Sequence, residues 1–107
     1  MINPNDEIQH IVDLIDDYAE ADAKLAFLES YKHALKALKM KESTNPSIAG
    51  KEMDALASDE YIQYCDDLFS AKHNYARLKL IIETCKLKIE VFRTESATNR
   101  QIEKITR

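Results

Sequence analysis

Tyr61–Phe92 reads YIQYCDDLFSAKHNYARLKLIIETCKLKIEVF, and this stretch decides the fold. Apolar or aromatic side chains recur in it at steps of three and four: Tyr61, Tyr64, Leu68, Ala71, Tyr75, Leu78, Ile82, Cys85, Ile89 and Phe92. A 3.5-residue repeat of this kind is the seam of a long amphipathic helix that packs lengthwise against another long helix. Upstream, Ser58 is placed to cap the helix, with Asp59 and Glu60 in its first turn. Downstream the seam turns polar at Ser96 and Asn99, and only Ile102 and Ile105 remain apolar, so a helix over 59–104 is expected, frayed at its end.

A first long helix is expected over 4–42, roughly 58 Å in length. Asn3 and Pro4 suit the cap and first position, and Asp6 and Glu7 suit the first turn. Its stripe runs through Ile8, Ile11, Leu14, Tyr18, Ala21, Leu25, Leu28, Tyr31, Leu35 and Leu38, widened by Val12, Ile15, Ala19, Ala23, Ala26 and Phe27. Ser43–Ser47 breaks it. Asn45-Pro46 repeats the opening device, so a short helix is expected over 46–57, weakened by Gly50.

The expected architecture is therefore all-α: an antiparallel, coiled-coil-like helical hairpin with a short connecting helix, one helical domain over residues 1–107. One Gly and two Pro supply too few turns for an all-β or α/β fold. Charge supports the antiparallel pairing. Residues 1–23 carry seven acids and no Lys or Arg, whereas residues 72–107 carry nine basic residues and four acids. Residues 24–42 carry five lysines and two acids, and residues 51–67 carry six acids and one lysine. Dipole preferences alone would put acids first and bases last, but that effect fades within about a turn, and the asymmetry here spans half of each helix.

Helix two carries more apolar surface than one partner covers. Leu80, Leu87 and Val91, with Thr84 between them and Ile81 beside them, form a row away from the main seam. The bland reading is scattered surface leucines. A bare hairpin has a thin core, which favours self-association as a homodimer or docking onto a protein partner through this row.

Little in the sequence points to reaction chemistry. His10, His33 and His73 lie far apart and form no His-x-x-x-His pair, Cys65 and Cys85 form no Cys-x-x-Cys pair, and the carboxylates are read without a Glu-x-x-His pattern of the helical di-iron kind, so no metal site and no cofactor are expected. Cys85 lies on the seam as a small buried residue, and Cys65 beside it as a free thiol. A single Gly excludes a Gly-rich phosphate loop, and no Ser/His triad spacing is present, so no enzyme activity and no small-molecule substrate are expected. Asp13, Asp16, Asp17 and Glu20 make an acidic surface suited to a basic protein partner, or simply a solvated face.

Lys72, Lys79, Lys86 and Arg93 recur every seven residues along one edge of helix two, joined in that half by Arg77, Lys88, Arg100, Lys104 and Arg107. This stripe either tracks nucleic-acid phosphates or is the charged flank of the seam, paired with the acids of residues 6–22. The second reading is favoured, because the stripe borders the seam and seven acids of residues 6–22 are available to it, in a chain of net charge −4 with 15 basic and 19 acidic residues. Tyr18, Tyr31, Tyr61, Tyr64 and Tyr75 fall on the seam pattern and read as core residues with their hydroxyls at the edge. No apolar run reaches membrane-spanning length and the first residues do not form a signal peptide, so a cytoplasmic protein is expected.

Three stretches carry a family resemblance: Tyr18-Ala19-Glu20-Ala21-Asp22-Ala23-Lys24, Leu28-Glu29-Ser30-Tyr31-Lys32, and Leu38-Lys39-Met40-Lys41-Glu42. With Ser58-Asp59-Glu60-Tyr61 and Ile89-Glu90-Val91-Phe92-Arg93-Thr94-Glu95, they resemble small helical-hairpin proteins of tailed phages and prophages. The resemblance covers most of the chain and departs at Gly50 and the connector. It implies a phage origin and a role in DNA metabolism, such as recombination, or in evading host defence. It assigns no functional residue. Together these readings give a non-enzymatic protein acting through protein–protein interaction, with a nucleic-acid-binding accessory in phage recombination as the alternative.

Overall fold

The computed structural model describes residues 2–106; Met1 and Arg107, the last residue of the basic half, lie outside the described residues. The chain is all-α, with α1 over Pro4–Glu42, α2 over Ile48–Leu56 and α3 over Asp59–Thr106. α1 and α3 pack antiparallel as a hairpin, and α2 is the short connecting helix.

The ends of the helices follow from their capping residues. Asn3 accepts a hydrogen bond on its side chain from the backbone N–H of Asn5 (3.0 Å), and Pro4 opens α1. α2 begins at Ile48, two residues later than the Asn45-Pro46 pattern implies, because Ser47 and not Asn45 is its cap. The Ser47 hydroxyl accepts from the Gly50 N–H at 2.9 Å, while the Asn45 side-chain oxygen accepts from both the N–H and the hydroxyl of Ser47, each at 3.1 Å. Asn45 thereby lies against Gly50, and a Cβ there would overlap its carboxamide group. α2 ends at Leu56, one residue early, where Ala57 donates back to Met53. Ser58 serves both neighbours: its hydroxyl donates to Ala55 (2.7 Å) and accepts from the Tyr61 N–H (3.2 Å). α3 continues two residues past the expected 104.

The chain forms two compact units, one from residues 2–18 with 76–106 and the other from residues 19–75. In the first, the start of α1 lies along the second half of α3. Leu78 and Cys85 are buried, and Ile11, Leu14, Tyr18, Ile82, Ile89 and Phe92 are half-buried. In the second, Ala21, Leu35, Ala55, Tyr64 and Ala71 are buried. Tyr64 donates its phenol to the carbonyl of Leu28, and its ring tilts against Tyr31 (centroids 6.4 Å) and Tyr61 (5.8 Å). Burial pushes the Tyr64 phenol above its ordinary pKa.

All ten seam positions of Tyr61–Phe92 are buried or half-buried, and all five tyrosines lie on the seams. The α1 stripe differs from expectation at its ends. Ile8 and Leu38 are exposed, while Glu7 and Lys39 take the adjoining half-buried positions. Val12, Ile15 and Phe27 are also exposed, so the widening of the stripe is surface rather than core.

The charge halves meet through a few ion pairs. In the first unit Lys88 pairs with Glu7 at 3.6 Å. In the second, Lys39 pairs with Glu60 at 3.2 Å and Glu42 at 3.1 Å, and Lys36 with Glu52 at 2.6 Å. Glu42 and then Glu60 hold the Lys39 amine above its usual pKa. Glu60 is held below the usual carboxylate range by its own backbone N–H and then by Lys39. Solvent-screened pairs of this kind orient the helices more than they stabilise them.

Candidate functional site

The outer row of α3 is exposed along its length. Leu80 is 61% exposed, Leu87 66% and Val91 46%, with Ile81 half-buried beside them. The row continues with the same three- and four-residue steps through Thr94, Thr98 and Gln101 to Ile105, flanked by Ile102, all exposed. The threonine hydroxyls at two of these positions turn inward: Thr84 donates to the Leu80 carbonyl (2.8 Å) and Thr94 to the Glu90 carbonyl (3.0 Å). Bonded to their own helix, they need no outside partner and present methyl groups. From residue 97 to residue 106 no side chain is even half-buried, so nearly three turns of α3 leave all their faces uncovered.

The predicted acidic surface is also exposed. Asp13, Asp16 and Asp17 lie in the first unit and Glu20 in the second. Asp13 accepts a hydrogen bond from Gln9 (2.8 Å), and among the described residues none of the four forms an ion pair. The basic stripe is exposed too; of that half Lys88 pairs with Glu7, whereas among the described residues Lys72, Lys79, Lys86 and Arg93 form no ion pair with the acids of residues 6–22. Lys72 lies in the second unit; Lys79, Lys86 and Arg93 lie in the first. Among the described residues Lys72, Lys79 and Lys86 form no ion pair, and Arg93 pairs with Glu90 on its own helix (2.8 Å). The reason is which edge of α1 they meet: Lys79 and Lys86 line a groove with Ile11, Ile15 and Tyr18, where α1 offers no acid.

Two features went unread in the sequence. The first is an open groove of about 920 Å³ in the second unit. Phe27, Tyr31, Leu35, Leu38 and Tyr64 line it, with Phe27 stacked on Tyr31 (centroids 5.8 Å, planes 11° apart). Its rim carries Glu42, Asp59, Glu60 and Asp67 against Lys39. The alternating steps that put these aromatics together also make them ordinary seam residues, so the pattern gave no sign of a groove.

The second is a cluster of metal-ligating groups in the first unit, where none was expected. Glu7, His10 and Cys85 bring one carboxylate oxygen, one ring nitrogen and the thiol within 4.8 Å of one another. The Cys85 Sγ and His10 Nδ1 are 3.5 Å apart. Cys85 is buried, Glu7 half-buried and His10 exposed. Burial, and then the hydrogen bond to Glu7, push the Cys85 thiol above its usual pKa. Contrary to the expectation from sequence, a Glu-x-x-His pattern is present: Glu7-x-x-His10 puts both side chains on one face of a helix, and α3 supplies the thiol opposite. Cys65, by contrast, is exposed and free.

Among the described residues no helix is long and apolar enough to cross a membrane. Comparison of the chain with protein-family models, with curated proteins and with solved structures finds no match.

Proposed function

We propose that this chain is a non-enzymatic helical interaction protein that pairs with a second copy of itself through the outer face of α3. The observation that carries the reading is the exposed row from Leu80 to Ile105, in which Thr84 and Thr94 are already satisfied within the helix. Charge favours a second copy as the occupant. An antiparallel register that sets Leu80 of each copy opposite Ile105 of the other also sets Thr84 opposite Gln101, Leu87 opposite Thr98, and Val91 opposite Thr94. On the flanks, the same register brings Lys88 to Glu95, Glu83 to Lys104, and Ile81 to Ile102. The symmetric pairing uses one patch twice, as a two-fold interface must.

The dimer leaves Asp13, Asp16 and Asp17 of the first unit, and Glu20 of the second, exposed to a basic protein partner. A nucleic-acid-binding protein of host or phage has such a surface, and the phage setting rests on the helical sequence resemblance. A second reading is supported by the absence of any ion pair at Lys72, Lys79 and Lys86 among the described residues: α3 then serves as a phosphate-contacting accessory in recombination.

Sedimentation velocity of the protein, with and without a labelled single-stranded oligonucleotide and at low and moderate salt, separates the two. The leading reading expects a dimer mass and no co-sedimentation. Co-sedimentation that falls with log salt by about 0.7 per phosphate contact, and weakens in Lys79→Glu with Lys86→Glu, supports the second. A monomer at all concentrations refutes the first.

A further inference from the structure

We infer that Glu7, His10 and Cys85 form a three-ligand site for a thiolate-seeking divalent ion of the zinc class, which clips the first turns of α1 to α3. The geometry carries it. Tetrahedral zinc, with bonds of about 2.3 Å to sulfur and 2.0–2.1 Å to nitrogen, sets those two ligand atoms about 3.6 Å apart. The Cys85 Sγ and His10 Nδ1 already stand at 3.5 Å. The Glu7 oxygen lies within 4.8 Å of both and needs about 3.4–3.6 Å, a closure of about 1 Å that a glutamate stem makes by changing rotamer. That movement takes the carboxylate from Lys88, now at 3.6 Å, so the ion replaces a cation that Glu7 holds weakly.

The donor set selects the metal. One thiolate, one imidazole and one carboxylate suit zinc and its neighbours and not the all-oxygen sites of magnesium or calcium. On binding, the Cys85 sulfur gives its proton to solvent and the His10 ring binds through its unprotonated Nδ1. His10 and Cys85 also line an open cavity of about 320 Å³ with Leu80, Ile81, Thr84, Arg77 and Lys88, which gives the ion a path from solvent while the outer row of α3 is uncovered. Three protein ligands leave a fourth position for water. The clip acts on a small core, since Leu78 and Cys85 are the buried side chains among the described residues of this unit.

The test titrates the full chain, reduced, with Co(II) followed by absorption and with Zn(II) followed by thermal unfolding. The expected result is one ion per chain, a thiolate-to-cobalt charge-transfer band, and a higher unfolding midpoint with zinc. His10→Ala and Glu7→Gln change residues outside the packed core, and each is expected to weaken binding by about tenfold or more, as altered metal sites do. Cys85→Ser abolishes the band, and Cys65→Ser leaves it intact. If no band forms with excess cobalt, the proposal fails. It also fails if the band survives unchanged in both His10→Ala and Glu7→Gln, or disappears in Cys65→Ser, because the ion is then on a lone thiol. Far-UV circular dichroism of His10→Ala ties the loss to the ligand and not to unfolding, even if Cys85→Ser folds poorly.

Discussion

Replacing Leu87 with Glu separates a docking row from an ordinary surface. Leu87 is 66% exposed in the chain by itself, so about two-thirds of its side chain remains to be covered. Full burial of a leucine contributes about 1.5–3 kcal/mol, which leaves about 1–2 kcal/mol for each copy. A two-fold interface uses the residue twice, so the dimer loses about 2–4 kcal/mol, or about 30- to 1,000-fold in Kd, before any charge is considered. The two introduced carboxylates then face Thr98, which neutralises nothing, so the loss sits at the upper end of that range. The folded monomer changes little, within about 0.5 kcal/mol, because the position is exposed and Glu is a good helix former. Sedimentation equilibrium over a wide concentration range measures Kd, and far-UV circular dichroism measures helicity. A change in Kd below about threefold, with helicity kept, refutes the assignment of the row as the interface.

Two further outcomes follow from local geometry. Gly→Ala in an exposed helix stabilises by about 1 kcal/mol in general. At Gly50 the sign reverses, because the new Cβ displaces Asn45 from its bonds to Ser47 and disturbs the cap of α2, which costs about 1–2 kcal/mol. A fall in the unfolding midpoint for Gly50→Ala, partly reversed by adding Asn45→Ala, is expected; a rise would count against it. Alkaline pH provides the other test. Burial raises the Cys85 thiol and the Tyr64 phenol, so above about pH 8.5 for the first and about 10 for the second the native state holds protons that the unfolded state has lost. Stability therefore falls as pH rises through those values. With a chelator present, the fall beginning near pH 8.5 should flatten in Cys85→Ser, which urea midpoints read directly.

What the sequence discloses depends on how far apart the cooperating residues are. The seam from Tyr61 to Phe92 was legible because a 3.5-residue repeat fixes one face of one helix without reference to anything else. α1 was less so, because Ile8, Val12 and Ile15 are as apolar as Ile11 and Leu14. Only the phase of the repeat, carried back from Tyr18 through Ile11 to Glu7 and Pro4, excludes them from the seam. That phase places a carboxylate where an isoleucine was expected. The α2 start was misread because two capping patterns overlap at Asn45-Pro46-Ser47, and the Ser47–Gly50 spacing prevails by delivering a bond to a free N–H.

Pairing across the hairpin needs the register as well as the face. Counting charges finds seven acids near the start of α1 and a basic α3, and it predicts a paired stripe. The register instead turns Lys79 and Lys86 toward Ile15, and gives Glu7 alone to Lys88. The same register brings Cys85 to His10 across 75 residues of chain, and a slip of one turn along α3 would separate them. Charge balance is insensitive to such a slip, whereas a three-atom donor set is destroyed by it. The cluster at Glu7, His10 and Cys85 is therefore the feature of this chain that most depends on the fold and least on its composition.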